Sequence, residues 1–598
     1  MVKIRTIFDK LILNDKYDII DRSMSCSNIG ARKGRNIRDH LFVINGILNE
    51  AMQDKKKNLD IQIVDIEKCF DKMSYKETAN DLYESGVQDD KFLLMAKSNE
   101  KCKVAVKTPW GSLSKRVEMN QIEMQGTVLA PIKCSVQLDT LGKECLLTGE
   151  GMYQYKECLN IPPLLMIDDA IAITECGPES VKVNALIQSK VDMKNLRLGH
   201  GKCFKMHVGK NTSCCPILKV QDKNMLTSSR EKYLGDIITS DCKINSNIEE
   251  RYNKGMGIAN QIISLLKEIS FGQHYFHMAM VFRQSMLLNG ILCNSEVLYG
   301  LNKTHIETLE SVDRYFFKNV FNSLVSTPIE SYYIETNSTP IRYIIMARRL
   351  MYYWTILQKD DSELAKKVFI TQRLLVTKND WVQQLQSDLE ECGITLPEAR
   401  IKSMKKDAFK SLVKKQIRTL TMQYLVTLRS KHSKSEHLLI ENGLKEYLNN
   451  SEITLEEKKL LFAMKTRNVN VKTNFRNSYS TLICRLCAKP GEEESELHLM
   501  RCEKIIHESD IKNLMENISY MDIHGSIEKQ KNAIKAWKKV FKVWTIKLEG
   551  SKLSPSGHQV HVSVGHSASY TPNASAAQTV DTGSPDDDSG SSYVYDFG

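Results

Sequence analysis

Three aspartates have the type and placement to hold hard divalent cations. Asp65 falls near the end of an alternating apolar run, LDIQIVDI (59–66), and Asp168 and Asp169 sit side by side within PPLLMIDDAIAIT (162–174). Mg²⁺ takes one or two carboxylates together with phosphate oxygens. A pair of such ions activates a hydroxyl nucleophile and stabilises a departing pyrophosphate in nucleotidyl transfer. An Asp-Asp pair in isolation is more often an exposed turn, because Asp favours turns. A second set, Cys484, Cys487, His498 and Cys502, is spaced C-x2-C-x10-H-x3-C. That is the spacing of a tetrahedral structural Zn²⁺ site, with four protein ligands and no open position for catalysis. The acidic run between its halves reads as a solvated loop.

The elements that must position these residues follow from periodicity. Residues 59–66 read as a strand with Ile61, Ile63 and Asp65 on one face, and 162–174 as two short strands around the Asp-Asp turn. Helical patterns separate them, which makes the first 240 residues α+β. From about 245 the pattern is mostly helical, with Ile258, Ile262, Leu265, Leu266 and Ile269 at core spacing. Residues 400–418 read as one amphipathic basic helix, with Ile401, Met404, Ala408, Leu412 and Ile417 inward. Residues 529–547 repeat the theme with Trp537, Val540 and Trp544. Each helix presents either a solvated basic face or a surface for phosphates.

Composition agrees with a multi-domain globular chain: 598 residues, 42% hydrophobic and 26% charged. The net charge is +11; residues 550–598 contribute −4, which leaves +15 on the body and favours a polyanionic partner. No apolar run is long enough to span a membrane, and the N-terminus lacks a secretory pattern. Sixteen irregularly spaced cysteines suit buried thiols in a reducing, intracellular compartment (nucleus or cytoplasm) rather than a disulfide framework. Residues 549–598 are too poor in aliphatic residues to offset their ordering entropy and are expected to be disordered.

Five ordered segments, with an upstream sixth, carry a family resemblance. VDIEKCFDKM (64–73), QGTVLAPIKCS (125–135), LLMIDDAIAI (164–173), LRLGHGKCFKMHVGK (196–210) and KYLGDII (232–238) resemble, in order, motifs A to E of reverse transcriptases. NIGARKGRNIRDHLFVINGIL (28–48) resembles a segment of non-LTR (LINE-type) elements. The resemblance covers roughly residues 1–350. It implies a right-hand polymerase palm that copies an RNA template onto a DNA primer from dNTPs, with two Mg²⁺ ions held by Asp65, Asp168 and Asp169. It also implies a steric gate at Phe70, nucleotide and template contacts at Gln125 and Gly126, and a leaving-phosphate lysine at Lys202. Arg32, Lys33 and Arg35 are then expected near the template. Motif C carries Met166 where an aromatic residue is usual, a substitution a flexible thioether can accommodate. The family's earlier finger motifs and endonuclease have no counterpart in the sequence, so an N-terminally truncated element is expected, with weak nucleotide binding.

The resulting layout is partial fingers (1–58), palm with inserted finger elements (59–245), helical thumb (246–350), helical connector (351–480), and a CCHC zinc module with its basic helix (481–548). Similar Cys/His clusters lie downstream of the polymerase in non-LTR elements. Two functions compete: an active RNA-directed DNA polymerase, or a catalytically silent remnant that binds nucleic acid. A maturase or telomerase subunit shares the palm, but the 28–48 segment and the zinc spacing weigh against it.

Overall fold

The computed structural model describes residues 2–551 apart from 99–101, 106, 108–109, 120–126, 270, 442, 508 and 516–517. Gln125, Gly126 and the tail beyond Ser551 lie outside the described residues. The chain is a mixed α+β structure, as its periodicities indicate.

Two helices, α1 (Val2–Ser23) and α2 (Ile37–Gln53), precede the sheet. Asn36 and Asp39 form a reciprocal capping box that starts α2. Then come β1 (Leu59–Asp65), the single turn α3 (Cys69–Lys72), and α4 (Ala130–Thr148), which begins at the Ala-Pro of the second motif. The Asp-Asp hairpin is β2 (Leu164–Met166) and β3 (Asp169–Glu175), followed by α5 (Pro178–Met193), β4 (Phe204–Val208) and β5 (Leu226–Thr227). These strands form one sheet in the order β5-β4-β1-β3-β2, in which only β5 and β4 are parallel neighbours.

β1 is central, so both of its faces are covered. Leu59, Ile61 and Ile63 face a core that includes Phe42 and Ile44 of α2; Val64 faces a second core with Val183 and Ile187 of α5. This explains why β1 carries buried Asp60 and Gln62 where simple alternation would place solvent-facing residues. A separate hairpin, β6 (Arg230–Tyr233) and β7 (Asp236–Thr239), spans the fifth motif.

The helical half begins with α6 (Asn245–Glu268) and α7 (Lys303–Phe321). Ile262 and Leu266 of α6 are buried as their spacing indicates, whereas Ile269 is exposed at the helix end. Next, α8 (Ile341–Gln358) packs on the sheet's first core together with Trp381, whose indole meets Phe42 edge-on at 5.2 Å.

The expected single helix over 400–418 is two: α9 (Glu398–Ser403) and α10 (Lys406–Arg429). The break between them changes the buried set to Phe409, Val413 and Ile417, leaving Ala408 exposed and Leu412 half-buried. The i, i+4 spacing of the new set carries a well-formed apolar stripe.

Last come α11 (Leu455–Lys465), the short turns α12 (Glu496–Leu499) and α13 (Glu503–Ile506), and α14 (Ile527–Ser551). Trp537, Val540 and Trp544 of α14 are buried with Cys484, Cys502, Phe316 and Phe462, so the C-terminal region shares one core with α6, α7 and α11. Among the described residues no helix is long and apolar enough to cross a membrane, and the described cysteines are free thiols.

Candidate functional site

The aspartates meet through strand register. Asp65, the last residue of β1, is the cross-strand partner of Asp169, the first residue of β3. Met166 pairs with Asp169, which leaves Ile167 and Asp168 as the two-residue hairpin loop. Ile167 has φ = 58°, the positive value that a II′-type turn requires at its first central position. A β-branched residue there is strained, on the order of 1–3 kcal/mol, and needs support from its surroundings.

The support comes from residues 27–30, which run beside β2 and pair with it through a parallel bridge between Asn28 and Leu165. Leu165 N–H donates to Ser27 O and Ile29 N–H to Leu165 O, both at 3.0 Å. Gly30 then passes so close that an added Cβ would lie 2.7 Å from Ile167 N and 2.2 Å from Ser135 Oγ of α4. Only glycine permits that approach. The start of the 28–48 segment therefore serves partly to brace the aspartate turn.

Asp65 and Asp168 line a cavity of about 690 Å³ together with Phe70, Gly199 and Lys202. Phe70 projects from α3, whose neighbouring Cys69 packs against Cys134 of α4 with the sulfurs 2.9 Å apart. Gly199 N–H donates to Asp65 O at 3.0 Å, and a Cβ on Gly199 would sit 3.2 Å from Asp65 Oδ2. Lys202 is exposed, with Nζ 3.8 Å from Asp65 Oδ1.

The electrostatics favour added cations. Burial raises the Asp65 carboxyl above its ordinary range, Asp168 adds to the rise, and Lys202 opposes it. Burial also raises Asp168, with Lys202 again opposing. Asp169 is pushed up to about 6, first by burial and then by the Asp168 and Asp65 charges. Lys68 and Arg197 also line the cavity, but Lys202 is the cation whose charge acts on the three carboxylates, which leaves them short of the positive charge that bound Mg²⁺ would supply.

The basic residues expected at the template are placed unequally. Arg32 is buried, and its guanidinium donates to Asp21 Oδ1 at 2.7 Å, Asp21 O at 2.7 Å, Ser25 O at 2.7 Å and Asn28 O at 3.0 Å. It clamps the connection between α1 and residues 27–30, so the guanidinium is turned into the fold rather than toward the template where Arg32 is expected. Arg35 is largely covered, with Nε 4.0 Å from Glu363. Lys33 alone of the three is exposed, with Nζ 4.3 Å from the Tyr17 ring centroid.

At the C-terminal cluster, Cys484, Cys487, His498 and Cys502 bring their ligand atoms within 4.8 Å of one another. Cys487 Sγ lies 3.4 Å from His498 Nε2. A tetrahedral Zn²⁺ with bonds of about 2.0–2.3 Å separates its ligands by roughly 3.3–3.8 Å, so this donor set suits the ion. Burial pushes the Cys502 thiol up to about 12, so near neutral pH its thiolate forms only when a cation compensates.

The acidic run is not simply a solvated loop. Glu492 Oε2 is 2.9 Å from His498 Nδ1 and orients the ring, while Glu494 is buried against Arg485. The basic residues that precede the acidic run in RLCAKPGEEESELH, and the histidine that follows it, are the available signal for that pairing. Two groups of ligand atoms this tight occur among the described residues, and the aspartate trio, whose register brings it together more loosely, is not one of them.

No protein-family profile matches the chain, and no curated protein does either. Solved structures with some likeness include apo telomerase from Candida tropicalis, at 12% identity and TM-score 0.32, covering 69% of this chain and 61% of that one. Telomerase from Candida albicans in complex with a TWJ fragment of telomeric RNA gives 12% and 0.32, covering 66% and 57%. A C-terminally truncated apo telomerase from Candida tropicalis gives 13% and 0.27, covering 40% and 44%. The chain thus spans about half the length of these structures.

Proposed function

We propose that the chain is an RNA-directed DNA polymerase of the non-LTR retrotransposon type, acting by two-metal nucleotidyl transfer. The observation that carries this reading is the register of Asp65 against Asp169, with Asp168 in the adjoining braced turn beside a cavity that also holds Phe70 and Lys202. Asp65, Asp168 and Asp169 would hold the Mg²⁺ ions. When bound, the ions favour the primer 3′-hydroxylate and neutralise charge on the transferred phosphoryl group and departing pyrophosphate.

The chain's own residues do the rest. The central strand and braced turn keep the carboxylates fixed, so that little reorganisation is needed during transfer. Phe70, at the cavity wall, would crowd a ribose 2′-hydroxyl and favour deoxynucleotides. Lys202, with its exposed ammonium 3.8 Å from Asp65, would donate charge or a proton to the leaving phosphate. Gln125 and Gly126 are proposed to contact nucleotide and template on the strength of the motif resemblance. In the C-terminal region, Cys484, Cys487, His498 and Cys502 would hold one structural Zn²⁺, with the basic α14 helping to grip nucleic acid.

A second reading, a catalytically silent nucleic-acid-binding protein, is favoured by one observation: Lys406, Lys410, Lys414, Lys415 and Arg418 of α10 are all exposed. Primer extension on an RNA template separates the two. Mg²⁺-dependent synthesis by the wild type and none by Asp168→Ala, with template binding kept, supports the polymerase. Equal extension by both proteins would place the chemistry elsewhere, and template binding without extension by the wild type supports the silent protein.

A further inference from the structure

The far end of the same sheet holds a second cluster of ligand-type side chains that plays no part in the polymerase reading. Asp60 lies on β1, His207 is its cross-strand partner on β4, Cys176 follows β3, and Cys215 lies in the loop after residues 212–214. Their ligand atoms all lie within 4.8 Å of one another. Asp60 Oδ1 is 3.2 Å from His207 Nδ1 and 3.8 Å from Cys215 Sγ. Those separations match the edges of a Zn²⁺ tetrahedron, roughly 3.3–3.8 Å.

A further observation points to a ligand. Asp60 is fully buried, yet its Oδ2 has no hydrogen-bond partner, so the carboxylate keeps an acceptor that a cation held at Oδ1 can share. Such an orphaned atom is costly in a folded interior unless something binds it.

We propose that Asp60, Cys176, His207 and Cys215 form a second structural Zn²⁺ site, which ties the 211–216 loop to the sheet.

Charge balance is consistent with this assignment. Buried Lys205 lies 3.7 Å from Asp60 Oδ1, and its ammonium donates to Cys215 Sγ at 2.9 Å and Pro216 O at 2.5 Å. Lys205 sits against Asp60 as its buried counter-charge. Zn²⁺ entering with His207 neutral releases the two thiol protons, so the net charge of the cluster is unchanged. Lys205 then acts as an outer donor to the Cys215 thiolate, a role that tunes sulfur ligands elsewhere. The site lies five residues along β1 from Asp65, about 17 Å at a strand's rise, so its role is to hold the loop rather than to touch the reacting phosphate.

One neighbour defines the competing outcome. Cys214 Sγ lies 2.9 Å from Cys176 Sγ, so these thiols could instead oxidise to a disulfide and remove Cys176 from the ligand set.

The test is zinc analysis of the full-length protein, prepared under reducing conditions and dialysed against metal-free buffer. The wild type should hold about two zinc ions per chain, with about 2.5 sulfur ligands per zinc by X-ray absorption, the mean of a three-sulfur and a two-sulfur site. Cys484→Ser/Cys487→Ser should keep one zinc, bound by two sulfurs and two nitrogen or oxygen atoms. His207→Gln/Cys215→Ser should also lose one equivalent, and Cys214→Ser should lose none. The wild-type and Cys484→Ser/Cys487→Ser measurements decide the matter even if the His207 variant does not fold. The proposal is overturned by a wild type with one three-sulfur zinc, by a Cys484→Ser/Cys487→Ser protein without zinc, or by peptide mapping that links Cys176 to Cys214 in the purified chain.

Discussion

Replacing Arg32 distinguishes a residue that grips nucleic acid from one that holds the fold together. Its side chain is 3% exposed and makes four hydrogen bonds, one to the Asp21 carboxylate and three to backbone carbonyls between residues 21 and 28. Hydrogen bonds to a charged group contribute about 1.5–3 kcal/mol each. Their simple sum overstates a truncation, because freed carbonyls can take up water. Removing one partner of a buried ion pair costs about 3–5 kcal/mol, and Asp21, at 29% exposure, can be partly rehydrated. We therefore expect Arg32→Ala to cost about 3 kcal/mol, which at about 2–4 °C per kcal/mol for a unit of 150–250 residues lowers Tm on the order of 10 °C. Arg32→Lys should recover little, since one ammonium cannot replace the planar fork. Lys33→Ala, at an exposed position, should change stability by less than about 0.5 kcal/mol. The assay is thermal unfolding of the three variants, with RNA-template binding measured well below each Tm across a salt series. A stable Arg32→Ala protein whose log–log salt slope falls by about 0.7–0.9 would refute the clamp and restore the phosphate contact.

Other outcomes follow from the same geometry. His40, fully buried on α2 with Nε2 2.9 Å from Ser27 O, is held down to about 3 by burial. The unfolded chain takes up that proton near pH 6.5 and the folded one does not, so stability should fall as pH drops from about 6.5 toward 3, by at most about 1.4 kcal/mol per pH unit. Urea unfolding of His40→Gln should show a flatter profile over this window; an identical slope would exclude His40 as the cause. Phe70→Ala should raise ribonucleotide incorporation relative to deoxynucleotide, measured as the ratio of kcat/KM values, and an unchanged ratio would remove the gate assignment. Chelation of the Cys484 site should destabilise α14, because the ligands and Trp537 share one core. Hydrogen exchange that speeds up across residues 527–551 on chelation checks this, and unaltered protection there would argue against it. The exposed basic face of α10 should give binding a steep salt dependence, losing about 0.7–0.9 in log–log slope for each phosphate contact removed by Lys→Ala substitutions; a flat dependence would mark the face as merely solvated.

The sequence by itself was enough to place the aspartate hairpin, the Cys/His quartet and the buried stripe of α14. In each case regular backbone geometry converts short spacing into proximity: Asp168 and Asp169 share a tight turn, Cys484 and Cys487 a loop, and Trp537, Val540 and Trp544 one helix face. Asp65 joined them because a motif resemblance, rather than spacing, linked segments a hundred residues apart. Other features depended on which segments come to lie against one another. Whether Arg32 is free to meet a phosphate depends on Asp21 and the carbonyls that surround it. The break between α9 and α10 changes which face of a basic segment is inside. Glu492 looked like one charge in a solvated run until the loop carried it to His498. Asp60, Cys176, His207 and Cys215 are brought together by the pairing of β1 with β4 and the chain reversals beyond β3 and β4. A one-residue slip of that register would turn Asp60 to the opposite face and disperse the cluster. Spacing along the chain holds no record of that register; the packing of both faces of the central strand sets it.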